Sequence, residues 1–413
     1  MSDIARTIFS CYLYFLYLQI YWSFEYVKEF IRFIATGNVR VPLKKVRLGR
    51  ILYSHKRDPE EISRREDFFT WDNGFAPLSI LKSGNWAMYT LDKRGAVFVE
   101  LPKPLQEYTI DKYPFIFTPT HEEAKQTAEL SLEAFIDFAN DLEKDVEVPR
   151  TLLFTNTARC ASTLFGSMLN HPGHSIVLGE PHVLTCMSVG YGEGYWDKED
   201  LNLLLPAIVK SLRKDVSPKN LFVMKTESME VRLVPFFKSL MPEIMHVFMF
   251  RKKGLDSVER MCLRDPRMPV LNAIYNISPR VSTTLFGWLQ AGEGPHFRAL
   301  KPRHMKEWAM IVYTAPYSYY MQNQGAFDFP VVWHQELIGD TERVLRPIFE
   351  KLSIPEECLP NALSCLKGDS QKGTFLSQDS IRDIKPTPMT PALEASLRLY
   401  VEHMKIPQEI VGF

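Results

Sequence analysis

The chain has 413 residues, 46% of them hydrophobic and 24% charged, an ordinary globular composition with ample core material for one large or two ordinary domains. Lys plus Arg and Asp plus Glu both number 49, so the formal net charge is zero. That argues against a broad nucleic-acid footprint, while leaving room for a local anion pocket.

Residues 1–36 read as a hydrophobic, amphipathic helix. The stretch IFSCYLYFLYLQIYWSF (8–24) is a 17-residue run without a charge, near the lower limit for a membrane span. No small-residue cleavage site follows it, which speaks against a removed signal peptide. Arg6, Ser10, Tyr14, Tyr17, Tyr21, Glu25, Lys28 and Arg32 recur at steps of three and four and form one polar stripe. A stripe of that kind suits a helix lying in an interface or packed on a partner. Membrane contact through residues 8–34 and a soluble helix in a homodimer or core contact are weighed equally. A Golgi-type signal anchor ranks below a cytoplasmic or membrane-associated location, and the basic residues after the run favour a cytosolic body.

Residues 37–146 carry short apolar runs broken by turns, the pattern of a small β-rich subdomain. WAMYTL and AVFVEL, joined around Asp92-Lys93-Arg94-Gly95, predict a hairpin. The segment 120–145 predicts a helix, with Thr120 and Glu123 as a capping box. From 147 to 413 short apolar strands (RTLLFT, HSIVLG, LFVMKT, MHVFMF) alternate with helices at 162–170, about 198–214 and 229–241. That alternation predicts an α/β domain with a parallel sheet and helices on both faces. The region 268–330 reads as helical with Pro breaks, and FPVVWHQEL as a further strand before a capped helix. Six Cys show no dense disulfide framework, reduced core thiols being the favoured reading, and no His/Cys spacing resembles a zinc site.

Three segments carry chemistry. In LLFTNTARCASTLFGSML (152–169) a strand runs through a polar loop into a helix, and a loop of that kind directs backbone N–H groups and the positive helix end at an anion. Ser162 and Thr163 add hydroxyl donors and Arg159 a guanidinium fork. In HSIVLGEPHVL (174–184) Glu180 follows a strand, at the sheet edge where ligands of open α/β sheets bind. A carboxylate beside an anion loop makes sense where a proton must also be removed. In VFMFRKKGLDSVER (247–260) a strand ends in Arg251-Lys252-Lys253 and a helix bearing Ser257 begins, a second cationic strand end. Two such sites suit a nucleotide with phosphates at both ends of its ribose.

These segments, in this order, resemble the sulfotransferase superfamily, over roughly 149–385. Arg159-Cys160-Ala161-Ser162-Thr163 resembles the 5′-phosphosulfate loop, Glu180-Pro181 the base motif of the carbohydrate-type members, Arg251 and Ser257 the 3′-phosphate motif, and Lys372-Gly373 the late loop that also serves the 3′-phosphate. The resemblance implies 3′-phosphoadenylyl sulfate as co-substrate and no metal. It implies a small-molecule or carbohydrate acceptor, and no nucleic acid. Glu180 becomes the general base, with Arg159 and Lys225 as charge-stabilising partners, and His182 and His174 are alternative bases near the same edge. Departures are visible: Cys160 and Ala161 stand where Ser-Gly is usual, the Arg251 to Ser257 interval is two residues short, and Glu259 occupies the usual Ser position. They motivate an alternative reading, a sulfotransferase-like scaffold without activity. A nucleotide kinase is disfavoured because the chain lacks a GxxxxGK[ST] loop.

Overall fold

The structure, a computed structural model, describes residues 3–37, 41–58, 60–144, 146–265, 267–278, 292–374 and 376–413. Two five-stranded sheets organise it. The first is antiparallel, in the order β2-β1-β5-β4-β3, from β1 (Lys45–Ser54), β2 (Phe68–Pro77), β3 (Trp86–Asp92), β4 (Gly95–Glu100) and β5 (Gln126–Leu130). The second is parallel, in the order β10-β9-β6-β8-β7, from β6 (Arg150–Asn156), β7 (Ser175–Gly179), β8 (Leu221–Lys225), β9 (Met245–Phe250) and β10 (Val332–Trp333). With helices between its strands, the second sheet is the α/β architecture that the sequence pattern predicts.

The parallel strands are short, apolar and buried along most of their length, as strands covered on both faces must be. The chain steps from β6 to β7, returns to β8 between them, then crosses β6 to reach β9 on the other side. A reversal of this kind opens a crevice beyond the C-terminal strand ends. One hydrophobic cluster joins the two sheets: Phe98 and Phe135 belong to it together with Leu184, Leu205 and Phe222. The antiparallel sheet is therefore seated on helices of the parallel unit and shares their core.

Three local readings change. The segment 120–145 is a short helix (Phe117–Glu122), then β5, then a second helix (Leu132–Leu142). Strand β5 pairs with β1 on one side and β4 on the other, and two rows of cross-strand hydrogen bonds outweigh a local helical preference. The Thr120 hydroxyl bonds back to Ile116 and Phe117 carbonyls, and the cap of the second helix is Ser131, whose hydroxyl accepts from Ala134 N–H. The predicted strand FPVVWHQEL shrinks to two residues, because His334–Gly339 turns helical at once. A helix at His182–Gly192, absent from the sequence reading, follows β7. The hairpin of β3 and β4 is as predicted, with Asp92 paired to Gly95.

The first helix spans Asp3–Thr36 and lies along β2, the edge of the antiparallel sheet. Its polar stripe faces inward. Lys28 Nζ donates to the Thr70 carbonyl (3.1 Å), and Arg32 forms a fork on Asp72 with two bonds of 2.7 Å. Tyr17 and Tyr21 donate to the Glu66 and Arg65 carbonyls, so the helix covers an edge that would otherwise be open.

Beneath it, Arg65 is 8% exposed and bridges two strands, with Nη1 2.6 Å from Glu129 on β5 and Nε 3.2 Å from Asp92 on β3. Arg65→Met keeps the length and removes the charge, leaving Glu129 with only Arg47, at 3.8 Å, while Asp92 keeps Arg94. It should lower stability by about 3–5 kcal/mol, read as a fall in the urea midpoint at pH 7.

Candidate functional site

Strand pairing assembles the site. In the parallel sheet Gly179 is level with Lys225, Asn156 with Met249, and Trp333 with Phe250. The residues that follow these strand ends (Glu180, Glu227, Arg159, Arg251 and His334) therefore gather at one edge, and they line a single cavity of about 570 Å³. That size suits a small-molecule site. Lys225, Ser162 and Thr163 line the same cavity.

The loop after β6 turns tightly. Arg159 and Ala161 both have left-handed backbones, at φ 62 and 68. Ala161 lies where glycine would be free, which costs about 1 kcal/mol. Cys160 between them is fully buried, and burial pushes its thiol up to about 11. It packs with Phe154 and Phe165 as a core anchor, so the cysteine serves the loop from beneath rather than lining the cavity.

Arg159 is engaged. Its Nη1 donates to Gln371 Oε1 (2.7 Å) and to the Leu376 carbonyl (3.1 Å), while Gln371 Nε2 donates to Thr163 Oγ1 (3.2 Å). The Gln371 amide thus bridges the guanidinium and the hydroxyl expected to receive an anion. Arg251 lies close enough for like-charge repulsion which, after burial, lowers the pKa of Arg159. Two guanidiniums facing one cavity favour an anion between them.

Glu180 sits on a strained residue, φ 54, and its N–H donates to the Lys225 carbonyl at 2.6 Å. Gly179 before it allows this: a Cβ there would stand 2.3 Å from the Pro114 carbonyl oxygen. The carboxylate pairs with the ammonium of Lys225, a residue only 1% exposed. Burial, set against Lys225 and reinforced by Glu227, pushes Glu180 up to about 7. Glu227, two residues past β8, is also raised by burial and accepts from Thr185 Oγ1 at 3.2 Å. Behind them Glu230, 1% exposed, is pushed up to about 8, first by burial and then by Glu227. Burial thus raises all three neighbouring carboxyls above the ordinary range, with Lys225 opposing it at Glu180 and Glu227.

Of the other expected residues, His182 lies beside the cluster and the rest stand apart. His182 is buried and stacked on Phe117 at 3.8 Å; its Nδ1 meets Ser63, and burial holds it well below the ordinary histidine range. Its Nε2 lies 3.4 Å from Glu227 Oε1, so His182 borders the carboxyl cluster from behind the cavity wall. His174 precedes β7, and its carbonyl accepts from Leu221 N–H at the start of β8. It therefore lies at the opposite end of the sheet from the cavity, which corrects its placement near this edge. Ser257 is half-buried in the helix Leu255–Arg264, and Lys372 and Gly373 are exposed in the loop after Gly368; none of the three lines the cavity. Glu259, read as an anion that would repel phosphate, is buried, paired with Lys306 at 2.9 Å and bonded to Thr387 N–H. Its charge is neutralised within the core and does not face the cavity.

Residues missed in the sequence complete the walls. Glu227 follows the same strand-end logic as Glu180 and was legible by it. Arg57, Arg64 and Phe117 come from the antiparallel unit, and Ser10 and Cys11 from the first helix, which no local pattern links to this edge. Arg264 pairs with Glu60 and Arg267 with Asp58, tying the 57–64 segment across the mouth.

Three solved structures similar in fold are sulfotransferases. They are the enzyme from Alicyclobacillus acidocaldarius (15% identity, TM-score 0.35, 63% of this chain and 93% of that one), a sulfotransferase domain from the curacin biosynthetic pathway (11%, 0.35, 63% and 99%), and one from Mycobacterium avium (12%, 0.34, 66% and 81%). No family model and no curated protein matches the sequence.

The carboxyl cluster has a pH signature. A carboxyl raised in the folded state contributes stability that is complete below its unfolded value and lost as pH rises through the folded one. For Glu230 that window runs from the ordinary carboxyl range up to about 8. Glu230→Gln should therefore gain stability on the wild-type protein between pH 5 and 8, in paired thermal melts; parallel curves would refute the raised carboxyl.

Proposed function

We propose that the protein is a sulfotransferase, moving a sulfonate from 3′-phosphoadenylyl sulfate to a hydroxyl or amine of an acceptor. One observation carries this reading: Arg159, Ser162, Thr163 and Arg251 share a cavity with a carboxylate–lysine pair, so anion-holding groups and a proton acceptor face the same space. The cavity residues fit the nucleotide's chemistry. Arg159, Ser162 and Thr163 suit the 5′-phosphosulfate, and Arg251, on the neighbouring strand end, suits the 3′-phosphate.

Glu180 takes the proton from the acceptor as its oxygen or nitrogen bonds to sulfur and the bond from sulfur to the bridging phosphate oxygen breaks. A base poised near 7 matches that task at neutral pH. Proton uptake by Glu180 dissolves its ion pair, and Lys225 is then free to meet the sulfonate oxygens. Arg159 neutralises charge on the departing bisphosphate. Positioning and charge supply most of the rate in such a transfer.

A second reading, a sulfotransferase-like scaffold without activity, draws support from Gln371, which accepts from Arg159 and donates to Thr163. Under the enzyme reading the Gln371 amide gives way to the ligand.

Thermal unfolding tests nucleotide binding, and turnover separates the readings. Adenosine 3′,5′-bisphosphate at about 100 times its dissociation constant should stabilise by about 2.7 kcal/mol, and ATP at equal concentration should not match it. Arg251→Ala should abolish that shift. Glu180→Gln should keep the shift and lose transfer, and in the wild-type enzyme transfer should rise through pH 7 as Glu180 ionises. Turnover surviving in Glu180→Gln would place the base elsewhere. Gln371→Ala should tighten bisphosphate binding several-fold, since about 1 kcal/mol of competing hydrogen bonding disappears.

A further inference from the structure

The first helix is docked inside out. At 100° per residue, Thr7, Cys11, Tyr14, Tyr21, Lys28 and Arg32 share one side, and all are buried. The opposite half, about 180° wide, contains no Asp, Glu, Lys or Arg. Among the described residues, fourteen large hydrophobic side chains of this helix are exposed, and they fall on that half. Ile8, Tyr12, Ile20, Tyr26, Phe30 and Ile34 are 56–73% exposed. They run the length of a 34-residue helix, about 51 Å. Trp71 on β2, in ring contact with Phe24 at 6.0 Å and 44% exposed, continues the apolar surface onto the sheet. Monomeric proteins rarely expose a contiguous apolar face of this extent without a partner for it.

The surrounding charge identifies the partner. Residues 1–54 hold eight Lys and Arg against three Asp and Glu, in a chain whose total is balanced. Lys44, Lys45 and Arg50 are exposed on or beside β1, next to exposed Leu43, Leu52 and Tyr53. A symmetric second copy would bring two such positive segments together, whereas an anionic surface neutralises them. The helix is also held along the body by the Lys28–Thr70 and Arg32–Asp72 contacts, and no helix among the described residues is long and apolar enough to cross a membrane.

We propose that the exposed face of the helix Asp3–Thr36 docks in the plane of an anionic lipid bilayer surface. The apolar half enters the boundary between headgroups and acyl chains, Tyr12, Trp22 and Tyr26 sit among the headgroups, and the basic residues around β1 meet anionic lipid. Ser10 and Cys11 line the cavity from the buried side of the same helix. Docking therefore holds the cavity about one helix diameter from the bilayer, where an amphiphilic acceptor would be concentrated.

The test is sedimentation of the full chain with sucrose-loaded vesicles, either pure phosphatidylcholine or with 30% phosphatidylserine added (~30 mol%, enough to charge the surface). The wild-type protein should pellet with the anionic vesicles, less with the neutral ones, and progressively less as salt is raised. Ile20→Glu combined with Val27→Glu places charge on the outer face, where both residues are more than half exposed. This variant should keep the wild-type melting temperature and lose vesicle binding at least tenfold. Failure of the wild-type protein to bind either vesicle overturns the proposal. A discrete dimer in light scattering that the double variant dissolves, without vesicle binding, assigns the face to a second copy and overturns it equally. The measurement needs neither nucleotide nor transfer, so its outcome is independent of the sulfotransferase reading.

Discussion

The pairing of β7 with β8, parallel and with Gly179 level with Lys225, is the constraint on which the site depends. It sets Glu180 one step beyond its strand and Lys225 at the end of the next, both withdrawn from water. Lys225 favours the charged form of Glu180, while burial pulls the carboxyl toward neutrality. Burial outweighs the ion pair, so Glu180 is pushed up to about 7. Glu227 raises it further by repulsion. The strain at Glu180 and the close approach at Gly179 are the local costs of this placement, of the kind that functional sites store.

The same sheet edge brings cationic side chains and a carboxyl together. The crossover reversal around β6 leaves the C-terminal strand ends open, and β6 and β9 each deliver an arginine there. Two guanidiniums near one another are repulsive until an anion separates them. The Gln371 amide meets one of them, accepting from Arg159 and donating to Thr163.

Function also reaches into the antiparallel unit. Arg57 and Arg64 face the cavity while Asp58 and Glu60 pair with Arg267 and Arg264 across its mouth. The first helix contributes Cys11 to the cavity and its apolar half to the outside. One helix thus serves as cavity wall and outer surface, and its polar stripe is consumed by β2. The orientation follows from energetics: Lys28 and Arg32 find a carbonyl and a carboxylate on the body, whereas exposing those groups would leave the β2 edge uncovered.

Much of this was legible in the sequence. Apolar runs ending in Arg, Glu or Lys marked β6 to β9 and, with them, Arg159, Glu180, Lys225 and Arg251, because strand period and burial are properties of a few adjacent residues. The loop Arg159 to Thr163 was readable for the same reason. Other features depended on partners distant in the chain. Residues 126–130 became a strand only because β1 and β4 flank them. Glu259 lost its bearing on the phosphate question only because Lys306 and the Thr387 N–H reach it. The polar stripe of the first helix was correctly periodic, yet periodicity is blind to which side faces inward. Local chemistry determined the elements and the residues able to act; tertiary contact decided which of those residues meet, which charges cancel, and which face of the first helix is left to the outside.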